Sequence, residues 1–378
     1  MTGRQKIEAA FSGDGSREIP AVICYENIYI RDNWDQLTNC PWWFEESFSL
    51  EEQMAWRLDA FKKIGQDWFF MPKGISRTDR ENSSIEARQD GIYKVNKMTG
   101  FEIKMVRPPV GGSVKAQHTM LQQSMLDTYD DIERIMSKFT PASLESIKTD
   151  GRTDLSRCLL NEFSKEMFCI RHVSSPLWCC YDLWGFEGLM VMIGSDREMV
   201  KYACRKYLDL AVASVRESAA LGAEAIWVEE CFTDMISLKD YRELCLPFLM
   251  ELLSEIRMLG MKSIYYFTGK PGDKIQEIIS AGADALSFEE SKKDFKIDVE
   301  ELAGIVNGKC AILGNLDSIG ILQEGSEELL RSEVSRQIGA GRRNKSRFIM
   351  SLGSPVTPST PISRVRLYCD LVHETGSR

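Results

Sequence analysis

The sequence predicts an α/β fold: a single (β/α)8 barrel of the TIM type over residues 1–378, with an N-terminal extension and a β-hairpin inserted after the second strand. Three observations predict it. Eight short β-rich runs recur, each followed by polar or glycine residues and then a segment of helical period. The runs are nearly continuous in apolar residues, as parallel strands covered on both faces must be. Eight such units in one chain suit a closed barrel, and no Gly-x-Gly-x-x-Gly follows the first run to favour a dinucleotide-binding sheet.

The elements follow in order. Residues 1–18 are the extension, too charged and too short in apolar residues for a secretion signal. The first run is 19–26, and residues 51–64 form an amphipathic helix after it. The second run is 67–72. Residues 85–108 break the alternation: 92–95 and 101–105 alternate about a turn at 96–100, which reads as the inserted hairpin. The third run is 168–173, and 197–221 carries apolar residues at helical spacing from Val200 to Val215. Runs at 225–230, 263–269, 285–290, 310–315 and 348–353 complete the eight. Helical segments at 241–259, 274–281, 299–306, 326–338 and 362–374 lie between and after them. Gly222, Gly260, Gly282 and Gly308 stand just past helix ends, where C-terminal caps belong.

Composition limits the function. With 47 basic against 56 acidic residues the net charge is −9, and no basic domain offers itself to a nucleic acid. The dense basic run Arg342–Arg347 reads as a solvated loop before the last strand. No stretch approaches the ~20 apolar residues of a membrane span. Eleven cysteines include no Cys-x-x-Cys pair, and most lie in apolar segments, so they are expected to be reduced, buried thiols in a cytoplasmic protein. Only three histidines, His118, His172 and His373, are available for metal or triad chemistry.

Four passages resemble the uroporphyrinogen decarboxylase superfamily. They are Gly314-Asn315-Leu316-Asp317; Ser351-Leu352-Gly353-Ser354 through Thr360-Pro361; Glu229-Glu230 with Tyr241 and Leu246-Pro247; and Tyr266-Phe267-Thr268-Gly269 with Gly282-Ala283-Asp284-Ala285. The resemblance implies the barrel and one of two chemistries. Decarboxylases of the family carry an N-terminal Arg-Gln-x-Gly-Arg and a late histidine. Here residues 26–35 hold one arginine, Arg31, and the late position is Ser354. A substrate with eight carboxylates needs several cations. The other branch moves a methyl group between a small molecule and a corrinoid carried by a partner protein, many members using zinc held by His-x-Cys and a later Cys. Those positions are Tyr266, Thr268 and Ser354, so zinc is doubtful and any metal is left unassigned.

The leading expectation is therefore a corrinoid-dependent methyltransferase acting on a methylated ether or amine, with a corrinoid protein as partner and a homodimer as a possible assembly. The alternatives are a decarboxylase, or a non-catalytic barrel that binds a corrinoid or tetrapyrrole.

In a barrel of this kind the site gathers at the C-terminal strand ends. The catalytic candidates are Tyr266, Glu229 and Glu289: a phenol to donate to a departing group, and carboxylates as general acids. Tyr266 has aromatic packing as its alternative, and each glutamate a salt bridge to a nearby loop. Glu229 and Glu230 must point to opposite sides of their strand, as must Glu289 and Glu290, and the sequence leaves open which faces the axis. Two carboxylates with His172 form a possible non-thiolate metal set, against a structural histidine. Glu26, Trp34, His172, Thr268, Asn315 and Ser354 are the substrate-binding candidates. Trp34, with Trp42, Trp43 and Phe44, is either a lid over an apolar substrate or packing on the barrel. Asn315 and Asp317 are expected first to hold their turn.

Overall fold

A curled parallel sheet organises the computed structural model, which describes residues 1–111, 128–292 and 294–377; His118 lies outside them. Its strands are β1 (Trp68–Phe70), β5 (Phe168–Ser174), β6 (Ala225–Glu230), β7 (Lys262–Phe267), β8 (Ala285–Phe288), β9 (Ala311–Leu313) and β10 (Phe348–Ile349). They pair in that order, each parallel to the next. Helices cover the outer face, among them Arg197–Ala220, Leu246–Met258, Glu327–Arg343 and Ile362–Gly376. Gly222 and Gly260 adopt φ of 88° and 77° at helix ends, a backbone that glycine takes without a Cβ clash.

The first run is not a ladder strand. Residues 19–24 do lie between β1 and β10, but by another kind of bonding. Ala21 bridges Met350, the Met350 amide donates to Pro20 at 2.9 Å, and the Asp67 amide donates to the Ala21 carbonyl at 2.8 Å. On the β1 side, two amides go to side chains: Ala21 to the Asp67 carboxylate at 2.7 Å and Ile23 to the Gln66 amide oxygen at 2.9 Å. Pro20 brings no N–H, so on the β10 side the first amide to pair is that of Val22, which donates to the Met350 carbonyl at 2.9 Å. Asp67 also faces Lys6 at 3.6 Å and the His373 ring at 2.8 Å, linking the first and last helices to this seam. Glu26, expected at a strand end, instead begins the helix Glu26–Asp32.

The insertion is larger than a hairpin. β2 (Ser83–Arg88), β3 (Gly91–Asn96) and β4 (Glu102–Met105) form a separate three-stranded antiparallel sheet. Its extra strand was not legible because Ser83-Ser84 open it and Ile85 and Ala87 are its apolar residues. Inside the barrel the axis is filled by large rings: Trp68 and Trp227 lie 6.0 Å apart, both fully buried. Among the described residues no helix is long and apolar enough to cross a membrane, and all eleven cysteines are unpaired.

Candidate functional site

The alternation of β6 decides which glutamate reaches the axis. Trp227 points inward, 4.9 Å from the ring of Tyr266 and 5.6 Å from that of His172. Glu229, two residues on, shares that face. Glu230 points outward, and Cys245 of the adjoining π-helical turn donates to it at 3.0 Å. Burial raises Glu230 to about 7.

The partner of Glu229 is a residue that sequence reasoning passed over. Tyr25 donates from its phenol to Glu229 Oε1 at 2.6 Å. Its ring meets His172 at 5.3 Å and both Trp227 and Tyr266 at 6.0 Å, all edge-on. Burial, then the charge of Glu229, pushes the phenol well above its ordinary value, so it stays protonated and keeps its role as donor. Cys231 also reaches Glu229 Oε1, at 3.6 Å, and burial raises its thiol too. A left-handed backbone at Tyr25, φ 53°, aims the ring inward, and no apolar period announces such a turn.

The other candidates divide. Tyr266 reaches the axis, with its hydroxyl donating to the Gly353 carbonyl at 2.9 Å. Glu289 accepts from the Gly269 amide at 2.8 Å, and burial raises its carboxyl. Thr268 lies beside Cys231. Ser354 donates to Glu290 at 2.7 Å and accepts from Lys292 at 3.1 Å, while Lys292 pairs with Glu290. Asn315 donates to the Glu289 and Ile297 carbonyls at 3.0 and 3.1 Å, so it holds the turn. Asp317 caps the turn that follows. Trp34 packs on Trp56 at 5.1 Å and donates to the Cys40 carbonyl at 2.6 Å; it is a core residue and no lid.

Glu26 and His172 line one cavity with Tyr25 and Phe70. Burial brings Glu26 up to about 7, and burial with the Arg171 charge brings His172 down to about 4. Glu229, Glu289 and His172 do not converge as a metal set; no cluster of three His, Cys, Asp or Glu side chains suited to a metal occurs among the described residues. The trio Tyr266, Thr268 and Ser354 offers neutral oxygens, which zinc does not favour.

The arrangement can hold a proton on a phenol against a carboxylate, beside aromatic faces, at an acidic barrel mouth. Known proteins resemble this chain both in sequence and in fold. The family described as Uroporphyrinogen decarboxylase (URO-D) matches residues 101–375. A uroporphyrinogen decarboxylase of Anaeromyxobacter sp. is 26% identical over 189 residues, 50% of this chain and 52% of that protein. One from Legionella pneumophila is 24% identical over 229 residues, 58% of this chain and 62% of the relative. The chain thus spans about half to three-fifths of the length of these curated relatives. Among solved structures, a methyltransferase from Methanosarcina mazei covers 99% of both chains with a TM-score of 0.65 and 14% identity, a likeness of fold.

Proposed function

Because the chain belongs to the uroporphyrinogen decarboxylase family, we propose that it is a methyltransferase, moving a methyl group from a small methylated ether or amine to a corrinoid carried by a partner protein. The observation that carries this reading is the character of the barrel mouth. Glu229 and Glu289 stand at the strand ends, Glu26 lines a cavity with Tyr25 and His172, and Lys292 is engaged by Glu290. A porphyrinogen with many carboxylates needs cations there.

The corrinoid supplies the methyl acceptor. The chain's own part is to bind the donor, keep water from it and place a proton near the departing atom. Tyr25 holds such a proton, with its phenol oxygen 2.6 Å from Glu229 Oε1. Tyr266 contributes a second phenol from the adjacent strand, where it stands in register with Glu229. The proposed transfer runs without zinc at Tyr266, Thr268 and Ser354.

The decarboxylase reading is favoured by one observation, the names of the curated relatives. One experiment separates the two. The purified chain is mixed with a reduced corrinoid protein and methylated ethers and amines, and the visible spectrum of the corrinoid is followed. In parallel it is given uroporphyrinogen. Methylation of the corrinoid is expected, without porphyrinogen turnover. Coproporphyrinogen formed at ~1 per second or faster would overturn the proposal.

A further inference from the structure

A cavity of about 130 Å³ lies beside the axis, against the helix Glu26–Asp32, β1 and β5. Glu26, Asn27 and His172 give it polar walls; Tyr25, Trp68 and Phe70 give it aromatic ones. The Glu26 side chain is buried, with 4% of the residue exposed. One of its oxygens accepts from the Phe70 amide at 2.6 Å and the other from the Gln66 side chain. A carboxylate oxygen has two acceptor sites, so each retains capacity.

What Glu26 lacks is a counter-ion. The cation whose charge reaches it is Arg57, also buried. Arg57 donates to the Gln53 carbonyl at 2.7 Å and to the Gln53 side chain, and its guanidinium lies 4.0 Å from the Trp56 ring centre. It makes no ion pair with Glu26 among the described residues. His172 adds a second unfilled group. Its ring touches Phe70 at 5.1 Å and Tyr25 at 5.3 Å, and its nitrogens have no hydrogen-bond partner among the described residues.

These facts select a ligand by charge and size. An anion would meet the Glu26 carboxylate. Above the pH of about 7 to which burial raises it, Glu26 is ionised, and a neutral molecule would leave that carboxylate uncompensated, which is costly when buried. A cation satisfies it, and aromatic faces attract cations through the ring quadrupole. The volume is close to that of the engineered ~150 Å³ cavity that admits benzene, room for about five or six heavy atoms. We propose that this cavity binds a small methylated ammonium ion, with Glu26 as counter-charge, Tyr25, Trp68 and Phe70 as aromatic walls, and His172 as acceptor for any N–H. That the ion is the methyl donor rests on the methyl-transfer reading; its binding does not.

The test is calorimetric titration of the purified chain at about pH 8, above the value of about 7 to which burial raises Glu26, with tetramethylammonium and trimethylammonium chloride, beside tert-butanol and pivalate as neutral and anionic shape analogues. Both cations should bind, and both analogues at least tenfold more weakly. Glu26→Gln keeps the shape of the side chain and should weaken tetramethylammonium at least tenfold. Phe70→Leu, read on a chain whose circular dichroism is unchanged, should weaken it severalfold. Tert-butanol binding as well as tetramethylammonium would overturn the proposal, as would no loss in either variant or no cation binding at millimolar concentration. Ammonium binding without methyl transfer would sink the functional reading and leave this site standing. Methyl transfer from an aryl ether by a chain that binds no ammonium would do the reverse.

Discussion

Tyr25 holds a left-handed backbone that a non-glycine residue adopts at a cost of about 1–3 kcal/mol, and its phenol ends on Glu229. If that pair assists a departing group, its proton matters more than its bulk. Tyr25→Phe should slow methyl transfer by at least about tenfold, and by up to the ~10²–10⁴-fold scale of general acid assistance, with the circular dichroism unchanged. Tyr266→Phe should slow it by at least about tenfold as well, assayed with the same corrinoid spectrum. The carboxyls of Glu26 and Glu230 carry a further consequence. Burial raises both from 4.5 to about 7, so folding favours their protonated forms. Their contribution to stability is full below pH 4.5 and is lost as the pH rises through about 7, roughly 3 kcal/mol for each such group. Urea denaturation should show stability falling across that window, and Glu230→Gln should flatten the fall. The sequence showed that Glu229 and Glu230 diverge by period two; the inward ring of Trp227 and the position of Cys245 told which turned outward. It gave no hint of Tyr25, because a single left-handed residue has no period to display.

At the scale of elements, seven of the eight runs became strands because each is a short apolar stretch bounded by polar or glycine residues, and burial on both faces demands that pattern. The ends moved inward: the run 348–353 gives a continuous ladder over Phe348–Ile349, beyond which Met350 and Leu352 pair singly with Ala21 and Leu316. The insertion was half legible, because its second and third strands flank the turn at 96–100, whereas its first does not and has Ile85 and Ala87 as its apolar residues. Helix packing depends on small residues that hydropathy does not weigh. Gly341 in Glu327–Arg343 is buried, and a Cβ placed there would overlap the Phe348 ring of β10. Gly341→Ala should force the helix away from the strand and lower stability by about 1–3 kcal/mol, measured by urea denaturation. Gly304, where an added Cβ would meet open space, should tolerate the same change.

For the molecule as a whole, Asp67 joins what the chain keeps furthest apart. It accepts the Ala21 amide, faces Lys6 of the first helix and meets His373 of the last. Asp67→Ala would leave the buried Lys6 ammonium and the Ala21 amide without that partner, and should cost about 3 kcal/mol or more, seen as an earlier urea midpoint. The seam at residues 19–24 also differs from the other seven staves in how it lets go. A ladder amide is released only when two strands part, whereas the amides of Ala21 and Ile23 are released by the rotation of one side chain, Asp67 or Gln66. Opening of that kind is local and low in free energy. In heavy water, deuterium should therefore enter the barrel wall first along this stave, ahead of β5 through β8, and peptide-resolved mass spectrometry would register the barrel as a ring with one fastening that unclips before the rest.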